Sequence, residues 1–177
     1  KTLNPILSEA QPLLDTLSAA QPNNELLHGM LTRFLPQLSN SVGQNLPTFE
    51  EVSLTGDTLT NKQFEGKPLA IAIWSSWVRD VRKHLRNLDH LQKTYGEDIN
   101  FLLISLDASR IDCERYLKYD TVHAPIICDQ QAMQSPLVST FGVRQMPEFI
   151  LVDKKGIITK RDVLPKDWET AIKELLK

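Results

Sequence analysis

Trp74-Ser75-Ser76-Trp77-Val78-Arg79-Asp80-Val81 follows the apolar run Leu69-Ala70-Ile71-Ala72-Ile73 and opens a long amphipathic segment. A run that is apolar at successive positions reads as a strand buried on both faces, at the centre of a sheet with helices on each side. From Val78 onward, Val81, Leu85, Leu88, Leu91 and Tyr95 recur at helical spacing, while Arg79, Arg82, Lys83, Arg86 and His90 take the outer face. The octapeptide is therefore the passage from a central strand into a long helix, and Gly96 is the expected stop.

Working outward, Asn100 to Leu106 reads as a second buried strand, and Asp107-Ala108-Ser109 as a helix-start signal. Cys113, Tyr116 and Leu117 fall on a short helix, Pro125-Ile126-Ile127-Cys128 on a short strand, and Met133, Leu137, Val138 and Phe141 on a further helix. Phe149-Ile150-Leu151-Val152-Asp153, the Lys154-Lys155-Gly156 turn and Ile157-Ile158-Thr159-Lys160 form a hairpin. Trp168, Ala171, Ile172 and Leu175 share one face of a closing helix. Strand alternating with helix is the signature of an α/β sheet. Upstream, Phe49, Val52 and Leu54 read as a half-buried strand before the Thr55-Gly56-Asp57 turn, and Leu59 and Phe64 lead to Gly66. Residues 1 to 43 read as a helical segment or a linker from an upstream domain. Leu27, Met30, Leu31, Phe34 and Leu38 make an apolar stripe with Asn24 as N-cap. Leu3, Ile6, Leu7, Leu13, Leu14 and Leu17 behave similarly, with Pro5 and Pro12 breaking or beginning turns, so two short helices are expected.

This order resembles the thioredoxin-like fold of the redoxin group, with the TlpA- and ResA-type extracytoplasmic thiol-disulfide oxidoreductases as its nearest pattern. The resemblance spans residues 44 to 177 and rests on Trp74-Ser75-Ser76-Trp77 and on Phe141-Gly142-Val143-Arg144-Gln145-Met146-Pro147 through Gly156. It implies an α/β domain with a central mixed β-sheet flanked by helices and a βα insertion, following the N-terminal helical segment. It also implies a cis Met146-Pro147 bond and an active site at Trp77, Val78, Arg79, Asp80, Val81, Met146 and Pro147. The family pattern is W-x-x-W-C-x-x-C, in which a thiolate at a helix N-terminus attacks and a second cysteine resolves the mixed disulfide. Here Val78 and Val81 stand at the two cysteine positions. Asp80 replaces the usual proline between them, His84 the usual glutamate, Arg86 the usual helix proline, and Glu148 the common threonine after Pro147.

The remaining residues narrow the function. Twenty basic against 22 acidic side chains give a net charge of -2, so no global positive field holds a nucleic-acid backbone. No apolar run approaches the roughly 18 to 20 residues that span a bilayer, and the first residues lack the apolar core of a signal peptide. His84 and His90 are six apart, off the spacing that places two ligands on one helix face, so no metal site and no cofactor are expected. The basic face of the long helix lacks a glycine-rich phosphate loop. Two readings follow. In the first, no residue is catalytic: Val78 and Val81 beside Trp77, Met146 and Pro147 form an apolar patch that binds a protein or extended peptide segment, or serves structure, on the periplasmic side of a bacterial cell envelope. In the second, Cys113 and Cys128, near the carboxyl ends of neighbouring strands, form a relocated redox pair, provided their geometry permits bridging.

Overall fold

The computed structural model describes residues 4–118 and 122–177. Strand β3 (Leu69–Trp74) is buried along its whole length because it has neighbours on both edges and packed layers on both faces. It runs parallel to β4 (Asn100–Ser105), with Ile73 opposite Ile104, and antiparallel to β6 (Glu148–Val152), with Ile73 opposite Glu148. The edges are β5 (Ile126–Ile127), parallel to β4, and β7 (Ile158–Lys160), antiparallel to β6. The resulting order is β5-β4-β3-β6-β7, the mixed sheet that the resemblance implies.

Alternation along the strands divides the core into two layers. Ala70, Ala72 and Trp74 of β3, with Leu103 and Phe149, face α3 (Val81–Tyr95), α4 (Arg110–Leu117) and α6 (Trp168–Leu175). Leu85, Leu88 and Leu91 of α3 are buried there, and Phe149 stacks on Trp168 at 4.6 Å. Truncating one such leucine to alanine costs about 2–5 kcal/mol. Leu69, Ile71 and Ile73 face the other way, onto Phe49, Phe64, Leu137 and Phe141. Gly96 does end α3, in right-handed backbone. Its side-chain-free Cα lets the Gln92 carbonyl approach, since a Cβ there would lie 2.6 Å from that oxygen.

Several expectations are corrected. The long helix begins at Val81, not Val78: Asp80 is left-handed at φ 59°, and Val78 closes a turn by donating its N–H to Ser75 O at 3.1 Å. The first strand, β1 (Glu50–Val52), excludes Phe49 and Leu54 and pairs with the unforeseen β2 (Thr58–Thr60). Phe49 and Val52 are an odd number of residues apart, so one strand cannot bury both. Phe49 is buried just before β1 and Val52 is 60% exposed. The helix expected through Met133 is broken into a 3-10 turn (Ala132–Gln134) and α5 (Pro136–Thr140). Pro136 enters at the first position of α5, and Ser135 Oγ accepts from Leu137 N at 3.1 Å.

At the N-terminal end lie α1 (Asn4–Ala20) and α2 (Glu25–Ser39). Pro12 sits inside α1 without breaking it, and Asn24 caps α2 as expected, its Oδ1 accepting from Leu27 N at 3.0 Å. Leu3 and the side chains of Ile6, Leu7 and Phe34 lie outside the described residues; on the α2 stripe Leu31 is buried and Met30 exposed. The last turn of α2 is fastened to the domain by arginines that satisfy its terminal carbonyls. Arg144 Nη2 donates to Gln37 O at 2.6 Å, and Arg161 Nη1 to Asn40 O. Gly142, at φ 57°, sits so close beneath α2 that a Cβ would lie 2.5 Å from Pro36 O.

Candidate functional site

The carboxyl ends of the parallel strands β3, β4 and β5 meet on one rim, the edge at which open α/β sheets hold their ligands. Three loops leave that rim, and their sequence explains how they are tied. Ser75 and Ser76 follow β3, Ser105 ends β4, and Asp107 lies two residues on. Asp107 does not cap α4, as its sequence position suggested. It turns inward, 2% exposed, and accepts from Ser75 Oγ at 2.5 Å, Ser76 N at 2.9 Å, Ser76 Oγ at 2.7 Å and Ser105 Oγ at 2.7 Å. A buried carboxylate costs several kcal/mol unless its lone pairs are filled in this way. The two serines of Trp74-Ser75-Ser76-Trp77 thus hold the loop on Asp107 and deliver Trp77 outward at 60% exposure.

Behind Trp77, Val78 and Val81 do not stand on the surface. They are 9% and 5% exposed and belong to the core layer that contains Trp74, Leu85 and Trp168. Without a thiol to expose, two branched side chains gain more from packing inward than from facing water. Half-buried Met146 packs against the same layer, Pro147 follows it half-buried, and Trp77 is the exposed aromatic of the turn. Met146-Pro147 is cis, as implied. Arg79 is outside this surface, fully solvated with its Nε 3.7 Å from the Asp80 carboxylate.

The cis loop is supported from beneath by Glu148. This side chain is buried, pairs with the equally buried Arg161, and accepts from Arg144 N at 2.9 Å. Burial raises the Glu148 pKa, and the Arg161 charge pulls the other way. Arg161 also donates to the carbonyls of Phe141 and Gly142, so one buried ion pair joins β6, β7, the cis loop and the end of α2. Sequence reasoning recorded Glu148 only as a departure and missed Arg161. The available signal was an arginine directly after the edge strand β7, facing a glutamate in β6.

On the other part of the rim, Cys113 is fully buried on α4 and Cys128 half-buried just after β5. Each is close enough to influence the other's titration, with Ser105 beside both. Both thiols are free. The third feature is a cleft of about 480 Å³ between α3 and α6, lined by Asp80, Lys83, His84, Asn87, Lys166 and Glu169. His84 packs against Trp168 with ring centroids 6.0 Å apart, and burial lowers its pKa. Among the described residues, no three of His, Cys, Asp and Glu group as metal ligands would, and no helix is long and apolar enough to cross a membrane.

The strand order, the cis-proline loop and the β3–α3 turn define a thioredoxin-like protein. The Redoxin family model matches residues 41–176, and the chain belongs to that family. Among curated relatives, the thiol-disulfide oxidoreductase ResA of Bacillus thuringiensis is 22% identical over 145 residues, 81% of this chain and 82% of its own. Among solved structures, a thiol-disulfide oxidoreductase from Bacteroides fragilis is similar at TM-score 0.69 and 27% identity, over 75% of this chain and 100% of that one. A putative thiol:disulfide interchange protein DsbE from Chlorobium tepidum shares the fold at TM-score 0.67 and 22% identity, over 76% and 95%.

Proposed function

We propose that this redoxin domain binds protein or extended peptide segments at the Trp77 and Met146-Pro147 surface, and that no disulfide exchange takes place at that surface. The observation that carries the reading is an indole left 60% exposed directly before Val78, while Val78 and Val81 are sealed in the core where the family pattern places its reacting sulfurs. A solvent-facing tryptophan beside half-buried apolar groups is the kind of anchor that dominates protein recognition. The chemistry of these side chains supports the second half: neither valine can form a thiolate or a mixed disulfide. Similarity to thiol-disulfide oxidoreductases of the ResA and DsbE types supports protein substrates as the class of partner. It also supports a place on the periplasmic side of a bacterial cell envelope, in line with the extracytoplasmic character of the pattern quoted above.

The test uses insulin-disulfide reduction in a Cys113→Ala/Cys128→Ala background. That background protein is expected to be inert. Adding Val78→Cys and Val81→Cys should raise the rate at least about tenfold, because the grafted thiols enter at the first residue of α3 and in the turn just before it, beside a surface that already accepts a polypeptide. A folded graft that remains inert would mean that no polypeptide docks there, and a cysteine-free background that reduces insulin would refute the absence of chemistry.

A further inference from the structure

We propose that Cys128 and Cys113 form a second thiol–disulfide exchange site, displaced along the rim from the β3–α3 turn, with Cys128 as the attacking sulfur and Cys113 as the resolving one. This goes beyond the binding reading and does not depend on it.

Three observations carry the inference. First, the two cysteines come from different elements, α4 and the end of β5, to neighbouring places at the carboxyl edge of the sheet, where β4 and β5 pair. Second, their exposures differ in the sense that exchange requires. Cys128 is half-buried and within reach of a partner disulfide, whereas Cys113 is fully buried behind it and can attack only Cys128. Third, the polar groups around them favour charge on one sulfur. The Cys113 thiol and the Gln130 backbone N–H both favour the charged form of Cys128. Ser105 contributes no proton, since its hydroxyl donates to Asp107 Oδ2 at 2.7 Å. The neighbouring Cys113 thiol is the main influence that draws the Cys128 pKa down, against burial and the Asp107 charge, and the Cys128 thiol together with burial holds Cys113 protonated. One proton shared between two adjacent sulfurs is the arrangement of a poised dithiol.

The electron count closes with a disulfide as oxidant. The Cys128 thiolate attacks one sulfur of a partner R–S–S–R, the S–S bond breaks, and R–S⁻ leaves and takes a proton from solvent. Cys128 is now neutral in a mixed disulfide, so the charge that kept Cys113 protonated is gone. Cys113 gives up its proton, its sulfur attacks Cys128 Sγ, and the second R–S⁻ departs and is protonated. The protein has lost two electrons as Cys113–Cys128 disulfide, and the partner has gained them as two thiols.

The experiment incubates the full chain with oxidised glutathione at pH 7 and follows intact mass after maleimide trapping. The expected wild-type product has both thiols blocked, no glutathione retained, and a mass lower by two hydrogens. Cys113→Ala should stop as a stable glutathione adduct on Cys128. Cys128→Ala should react at least about tenfold more slowly, because Cys113 has no open path to solvent. A wild-type chain that keeps both thiols, or that ends with glutathione attached and no ring closed, overturns the proposal. So does Cys128→Ala reacting as fast as Cys113→Ala. The wild-type arm needs no variant, so a variant that fails to fold leaves the test intact.

Discussion

Two stretches of one sheet edge carry opposite chemistry. At the β3–α3 turn the side chains are apolar: Trp77 is outside, Val78 and Val81 are sealed below it, and no sulfur is present. At the ends of β4 and β5, in the same rim, Ser105 and Asp107 lie beside two free thiols. Asp107 belongs to both, because it accepts from Ser75 and Ser76 on one side and from Ser105 on the other. The difference teaches that a fold can keep its usual turn with valines where the family pattern has cysteines. A turn can keep its shape, the fold's cis-proline loop and an exposed aromatic while the thiols sit on α4 and beyond β4 at the end of β5.

The comparison can be broken most forcefully through the buried charges that hold each stretch. Arg161→Met leaves Glu148 buried without its partner, and equilibrium denaturation should show a loss of about 3–5 kcal/mol. A loss below about 1 kcal/mol would mean that the cis loop does not depend on this pair. Asp107→Ala strands hydroxyl donors of Ser75, Ser76 and Ser105, and the expected cost is about 2–4 kcal/mol by the same measurement. Because Asp107 serves both stretches, its variant should also change Trp77 fluorescence and the alkylation rate of Cys128 together. A change confined to one of them would show that the two are not coupled.

The smallest effect separates the turn from the cleft beside it. Burial lowers the His84 pKa below its usual 6.5, so the unfolded chain binds the proton more readily than the folded one. Stability is therefore full above about pH 6.5 and falls as pH drops below it. His84 is partly exposed and water screens the effect, so thermal denaturation should register well under about 1 kcal/mol. His84→Gln should flatten that slope and leave Trp77 fluorescence unchanged. A slope of the opposite sign would mean that the protonated imidazole is stabilised by Asp80.

The fold was largely legible because β3 and α3 announce themselves by pattern: an unbroken apolar strand and a three-four repeat need no long-range information. The cis Met146-Pro147 bond came only from resemblance. The unread parts depend on contacts far apart in sequence. Asp107 resembles a helix cap until Ser75 and Ser76 are placed against it, and Arg161 looks like a hairpin surface charge until Glu148 is placed opposite. Sequence alone places the valines at the surface, because the cysteines they replace would be partly exposed. The structure puts them in the core, and Trp77 becomes the residue to mutate. Proximity of Cys113 and Cys128 required the neighbouring ends of β4 and β5, which sequence located without fixing the distance.

The central claim is that the Trp77 surface binds polypeptide without sulfur. It is tested most directly by titrating wild type, Trp77→Ala and Cys113→Ala/Cys128→Ala with a reduced, carboxymethylated, permanently unfolded polypeptide. The account predicts equal affinity for wild type and the cysteine-free variant. It predicts a loss of about tenfold or more for Trp77→Ala, with folding stability changed by less than about 0.5 kcal/mol. No binding by wild type, or undiminished binding by a folded Trp77→Ala, would contradict it.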